Sequence, residues 1–496
     1  MAIKRYTASQ DTTITNAFAS SLITRGSGSN MGESDILEVF SIYGQASSSS
    51  IEKSRALLQF PVTTISTDRT AGTIPASGSV DFYLRVYNAE HPFTVPRNMT
   101  LVVHAVSRSW DEGTGLDMEE YVNDGCCNWA ASATSSEGET AWTTEGGDYH
   151  TGSYVAGSTL PFYSYGMAEG TEDMELNVTA LVEEWMAGGS GARANYGLAI
   201  FLTSSQEDGS EAKSFYTKKF FARGSEFFFK RPTIEARWNS ANLDDAGNFY
   251  LSSSLAPAAD NLNTLFLYNY IRGQLKNIPS IGTTGSLLLS VYSGSTGPVG
   301  SKIALPVGGN VATNNDINIS GGYVETGIYS ASFAYTSSAI TKVYPVWHSG
   351  SIEYHSGSAM TLKKFNNNNI DPNPKYVSNI TNLKSKYSRD EVARFRLYVR
   401  QKDWSPTIYT KANSAITTEI IDSGFYKIVR IADELEVIPF GTGSTSHTKM
   451  SHDASGSYFD LDMELLEVGY AYQVYFAYYI NGAYHEQPEV FKFRVE

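Results

Sequence analysis

The chain reads as nearly all β, an N-terminal jelly-roll sandwich followed by two smaller immunoglobulin-like β-sandwiches. Three observations predict this. Its composition favours short aromatic-rich strands joined by tight turns, with 32 Tyr, 24 Phe and 42 Gly. Apolar residues alternate with polar ones at period two in Asp81 to Val86 and again in Arg394 to Arg400. At 496 residues the chain is too long for one core, and about three domains is the natural expectation.

The first segment, 1–240, opens with Ile36, Val39 and Phe40 ahead of a serine-rich loop. Leu57, Leu58 and Phe60 then form an apolar run closed by Pro61, which cannot donate to a sheet ladder and so belongs at a strand end. Phe82, Leu84 and Val86 mark a strand with one buried face; Leu101 to Val106 repeats the device, and Ala199 to Leu202 is more continuously apolar. Leu57, Phe60, Leu84, Val86, Val103, Ile200 and Leu202 are the expected inward set. One helix is predicted, capped by Asn177 or Thr179, running through Leu181, Val182 and Trp185, and stopped by Gly188 and Gly189.

The stretch Asn239 to Asp260 reads as a linker or long loop, and Asn366 to Pro374, with four consecutive asparagines and two prolines, as a second linker. Between them, in the segment 241–374, strands are expected at Leu262 to Tyr270, Ser286 to Tyr292, Gly327 to Tyr335 and Lys342 to Trp347. The last segment, 375–496, has further strands at Arg394 to Arg400, Tyr426 to Arg430, Tyr470 to Tyr479 and Val490 to Val495. Its length and pattern suit an immunoglobulin-like sandwich.

Between Arg55 and Trp238 the order of short landmarks SRALLQFPV, FYLRVYNA, LVVHAVSRSWDEGTGLD, NWA, AWTTEGGDY, LNVTALVEEWMAGG, NYGLAIFLTS and RPTIEARW resembles the DNRLRE family of jelly-roll domains. That resemblance covers roughly the first half of the chain. It implies a carbohydrate-binding-module-like fold of the kind that recurs in surface and virus-particle proteins. The segment holding YVRQKDW and YFDLDM, with its Tyr-rich penultimate strand, resembles modules of tailed-phage structural proteins.

A net charge of -15 opposes binding to phosphate backbones, so nucleic acid is not an expected partner. No apolar run reaches the roughly 18 residues that span a bilayer, and MAIKRYTASQDTT lacks a signal-peptide core, so synthesis in a host cytoplasm is expected and membrane is not. Cys126 and Cys127 are adjacent, a geometry poorly suited to a bridge, and are expected to be free thiols.

The richest acidic cluster offers Asp111, Glu112, Asp117 and Asp124 as oxygen ligands for calcium, the one cofactor the sequence suggests, although the spacing is not that of an EF-hand. The same carboxylates could be solvating a loop. Trp129, Trp142 and Tyr149 lie in polar, glycine-rich sequence and are the candidate glycan-binding aromatics, with core packing the alternative for each. The eight histidines show no H-E-x-x-H spacing, and neither a phosphate loop nor a G-x-S-x-G elbow is present. None of the 52 Asp and Glu residues is singled out as a glycosidase pair.

These readings favour a non-enzymatic component of a tailed-phage virion, contacting capsid, portal, neck or tail proteins and copies of itself. A glycan-binding adhesin recognising host surface polysaccharide is the alternative.

Overall fold

A computed structural model describes residues 2–43, 51–91, 95–118, 126–135, 138–150, 163–211, 215–306, 315–364, 374–404 and 418–496. The chain is all-β and divides into two compact units, Ala2–Asn239 and Ser240–Glu496. Among the described residues no helix is long and apolar enough to cross a membrane.

The first unit contains β1 (Ile3–Thr7), β2 (Gln10–Thr15), β3 (Ile36–Tyr43), β4 (Ile51–Gln59), α1 (Val62–Thr70), β5 (Asp81–Val86), β6 (Met99–Ala105), β7 (Ala131–Ser135) and β8 (Gly138–Ala141). It continues with β9 (Tyr163–Met167), β10 (Met174–Asn177), α2 (Thr179–Ala187), β11 (Leu198–Leu202), α3 (Ser204–Glu207), β12 (Phe215–Phe221) and β13 (Thr233–Arg237). A four-stranded sheet, β1-β13-β5-β10, faces a seven-stranded one, β12-β3-β4-β11-β6-β9 with β2 beside β4. Neighbours such as β13 and β5, or β4 and β11, are distant in sequence and antiparallel, as a jelly roll requires.

The core between the sheets holds Leu58, Phe60, Phe82, Leu84, Val86, Leu101, Val103, Ile200, Leu202 and Ile234. Six of the seven expected inward residues are therefore in place. Leu57 is the exception: it is buried on the opposite face of β4, in a second cluster described below. Period-two reading fails there because both faces of this strand are covered.

The predicted helix is α2, with Leu181, Val182 and Trp185 buried and Gly188 and Gly189 at positive φ beyond its end. The Asn177 side chain accepts the Thr179 N–H at 3.0 Å. The sequence reading missed α1, whose Thr-rich, β-branched composition resembles a strand; Pro61 ends β4 by sitting at the N-cap of this helix.

In the second unit, the strands run Asn263–Tyr268, Ile328–Phe333, Ile319–Glu325, Leu287–Tyr292, Lys342–Ser349 and Ile352–Ser356 across one sheet. Its core includes Phe249, Leu289, Phe333, Tyr335 and Trp347. A sandwich follows, with Val392–Gln401 and Gly456–Asp462 central in one sheet and Gly424–Arg430 and Ala471–Ile480 in the other. Phe395, Tyr426 and Phe459 stack between them, with ring centroids 4.9 and 4.2 Å apart.

The stretch 239–260, expected as a linker or long loop, is a largely irregular segment with two short 3-10 turns, and from Ser240 on it packs into the second unit. Phe249 is buried, the Asp244 N–H donates to the His452 carbonyl at 3.0 Å, and the His452 N–H donates to the Asn242 carbonyl at 3.0 Å. Most of the second expected linker lies outside the described residues.

Candidate functional site

The outer face of the seven-stranded sheet is built from the residues of β4, β11 and β6 that point away from the main core. Leu57, Ala199 and Val106 on that face pack with Ile14, Trp110, Cys127, Trp129 and Trp142 into a second apolar cluster. Leaving this sheet after Val106 and returning near Tyr149, the chain lays a roof of loops and the β7–β8 hairpin over it. The roof is pinned by polar side chains that substitute for regular structure. Asn30 donates to the Glu112 and Cys127 carbonyls at 2.7 and 3.0 Å and accepts the Gly32 and Gly115 N–H groups. A Cβ at Gly115 would lie 1.9 Å from the Asn30 carbonyl oxygen, so only glycine fits.

Trp129 and Trp142 belong to this roof. They are 4 % and 5 % exposed, and the Trp142 indole N–H donates to the Asn128 carbonyl at 2.9 Å. Their role in the structure is packing, which leaves little ring surface for a sugar. Tyr149, the third candidate, does line an open cleft beside the cluster.

That cleft has a volume of about 650 Å³ and is lined by Arg55, His104, Ser107, Arg108, Thr143, Thr144, Gly147, Asp148, Tyr149 and Phe201. Phe201 forms a stacked floor with His104 at 5.1 Å and tilts against Tyr149 at 5.0 Å. Arg55 holds the floor together: its guanidinium carbon is 4.6 Å from the Phe201 ring centre, and it donates to Glu207 at 3.0 and 2.6 Å and to the Gly146 carbonyl at 2.9 Å.

Burial pushes the Tyr149 hydroxyl up to about 12 despite the opposing charge of Arg55, so this group is neutral at physiological pH, and it donates its proton to the Gly146 carbonyl. His104 is lowered from its ordinary value by burial, aided by Arg55 and opposed by its hydrogen bond with His150. Asp148 is clamped by the N–H groups of Thr143 and Thr144 at 3.0 and 3.1 Å, with Arg108 Nε 3.6 Å away. An aromatic floor with neutral hydroxyls, a half-exposed arginine and a carboxylate on one wall suits a hydroxyl-rich, ring-shaped ligand.

Sequence reading missed Arg55, His104, Arg108, Asp148 and Phe201. The available signal was a charge or an imidazole inside an apolar strand, Arg55 in SRALLQF and His104 in LVVHAV.

The acidic cluster is not assembled as a cation cage in the described residues. Glu112 is committed to Arg223, at 3.1 and 2.8 Å, and to the Asp11 N–H at 2.7 Å. Asp111 and Asp117 are exposed, and Asp124 lies outside the described residues. Among the described residues no three His, Cys, Asp or Glu side chains gather to hold a metal. Cys126 and Cys127 are both buried in the roof.

The chain matches no known family profile and no curated protein. Among solved structures it has a weak likeness to a marsupial T cell receptor, at 8 % identity and a TM-score of 0.16, over 50 % of this chain and 71 % of that one. A Salmonella alpha-2-macroglobulin mutant gives 9 % identity and a TM-score of 0.15, over 89 % of this chain and 22 % of the other.

Proposed function

We propose that the chain is a non-enzymatic structural component of a tailed-phage virion, a capsid decoration, neck, collar or tail accessory protein made in the host cytoplasm and located on the particle. The observation that carries this reading is the organisation into successive β-units with separate cores, which lets one unit dock on a particle while another is displayed. The resemblance of the first 240 residues to a domain of virus-particle and surface proteins supports it. Its partners are then capsid, portal, neck or tail proteins and copies of itself. Mass spectrometry of gradient-purified particles after a high-salt wash tests it: recovery at stoichiometric levels is expected, and a chain that washes off or never co-sediments would refute it.

A second reading, glycan binding, is favoured by the cleft over Phe201, and the two are compatible on one particle. On a glycan array the native chain is expected to retain a restricted set of saccharides. Phe201→Ala and Arg108→Ala are each expected to weaken binding about fivefold or more, the loss of a stacked face or a charged hydrogen bond being worth about 1 to 3 kcal/mol. Equal signal from the native chain and both variants would remove the cleft from consideration.

A further inference from the structure

In the first unit, the chain from Phe221 to Arg231 presents aromatic rings, the half-buried cations Lys230 and Arg231 and one exposed carboxylate, Glu226, leaving this stretch net basic. Phe227 and Phe228 are 48 % and 43 % exposed, large values for adjacent phenyl rings. Phe221 meets Phe227 edge-on at 5.4 Å, and Phe228 meets Phe229 in the same way at 5.4 Å. Lys230 Nζ lies 5.3 Å from the Phe221 ring centre and Arg231 lies 5.5 Å from that of Phe228, so the cations are held on the rings.

Directly beside this basic aromatic lip is an acidic one. Gly224 packs against Glu33, Ser34 and Asp35, Arg223 pairs with Glu112, and the Glu33 N–H donates to the Gly115 carbonyl at 3.0 Å. Glu33, Asp35 and Asp111 are exposed there, together with Leu116 at 58 %. Two lips of opposite charge, each with exposed apolar side chains, therefore share one face of the first unit.

We infer that this face is an isologous docking surface for a second copy of the chain. A two-fold axis between the lips sets the Phe227–Arg231 lip of one copy on the Glu33–Asp35 lip of the other, twice, and covers the phenyl rings. A partner with a uniformly acidic surface would satisfy only the basic lip and would be repelled by the other. A copy of the chain satisfies both. The inference goes beyond the virion reading, since it identifies the self-contact by residue. Co-purification with particles does not depend on it, so either can fail alone.

Sedimentation of the full chain tests it. The native protein is expected to dimerise, with at least a tenfold weaker association in molar salt than at low salt. Lys230→Glu with Arg231→Glu should give monomers, and so should Glu33→Lys with Asp35→Lys, because each places like charges opposite each other. Mixing the two variants should restore a dimer, since each altered lip then meets its complement. Phe227→Ser with Phe228→Ser should give monomers without any change of charge. A native chain that stays monomeric at ~100 µM in low salt, or a mixture that does not re-associate, would overturn the assignment. So would binding of the native chain to anionic phospholipid vesicles through Phe227 and Lys230 without self-association.

Discussion

Asp11 is 1 % exposed, accepts the Arg223 N–H with one oxygen at 2.5 Å, and leaves the other oxygen without a hydrogen bond. Burial pushes its pKa up to about 7; the Arg223 amide and charge pull it back, and Glu112 adds to the rise. Unfolded, the group titrates near 4. The folded chain thus keeps a proton that the unfolded chain has lost between about pH 4 and 7. Stability from this group falls as pH rises through that window and levels off above it, each pKa unit being worth about 1.4 kcal/mol. Asp11→Asn keeps an acceptor for Arg223 and cannot ionise. It is expected to melt above the native chain at pH 8, with the difference shrinking towards pH 5. Identical pH slopes for the two proteins would rule out this account. Asp244, raised to about 7 chiefly by burial, acts in the same direction in the other unit. None of this was legible in sequence, where Asp11 is one carboxylate in a polar run; its character depends on a contact with Arg223, more than 200 positions away. The place of Leu57 in the second cluster and the burial of Trp129 and Trp142 have the same kind of cause. Their environment is a roof brought over the sheet by residues beyond position 106, and local periodicity carries no record of it.

Among the elements, β13 shows how an outer sheet face can be closed without an apolar layer. Glu235 on β13 is 1 % exposed and receives Arg5 at 2.7 Å, Arg85 at 3.4 Å and Arg237 at 2.5 Å. Glu175 on β10 holds Arg237 from the other side at 2.8 Å. Burial alone would raise Glu235, but Arg85, Arg5 and Arg237 together hold it well below the carboxylate range. Glu235→Gln leaves three arginines around a neutral amide and is expected to cost about 3 to 5 kcal/mol in urea unfolding near neutral pH. Because the folded pKa is depressed, the native advantage is complete above the unfolded value near 4.3 and lost as pH falls below it. The gap between native and variant should therefore narrow in acid, and a gap independent of pH would count against the ion network. Inward-facing strands were legible because their faces alternate. Truncating Leu84, fully buried in β5, to Ala is expected to cost about 2 to 5 kcal/mol. In contrast, α1 was not legible, since VTTISTDRT has weak helix propensity and is held by burial of Val62 and Ile65 and by the ion pair of Arg69 with Glu183 on α2. The acidic loop was legible as acidic, but not as a loop whose Glu112 is engaged by Arg223.

For the whole molecule, the strand-rich character follows from composition, whereas the division of labour along the chain follows from contacts that composition does not encode. Asn239 to Asp260 has the polar, small-residue sequence of a linker, yet Leu243 bridges to His452 and the Asn248 side chain donates to Asp422 at 3.2 Å. These ties run from the start of the second unit into its last sandwich. A fragment spanning 375–496 would lose them, exposing His452, which is 2 % exposed in the intact unit. Such a fragment is expected to melt several degrees below the same region within Ser240–Glu496, about what a loss of 1 to 2 kcal/mol produces in a domain of this size. The fragment Ala2–Asn239, with its own core and both of its sheets complete, is expected to show one cooperative transition. Calorimetry of the three fragments checks both statements. If 375–496 melts at the temperature of the longer fragment, the polar stretch is a linker in its energetics, and the bridges at Leu243 and Asn248 contribute nothing to the stability of the last sandwich.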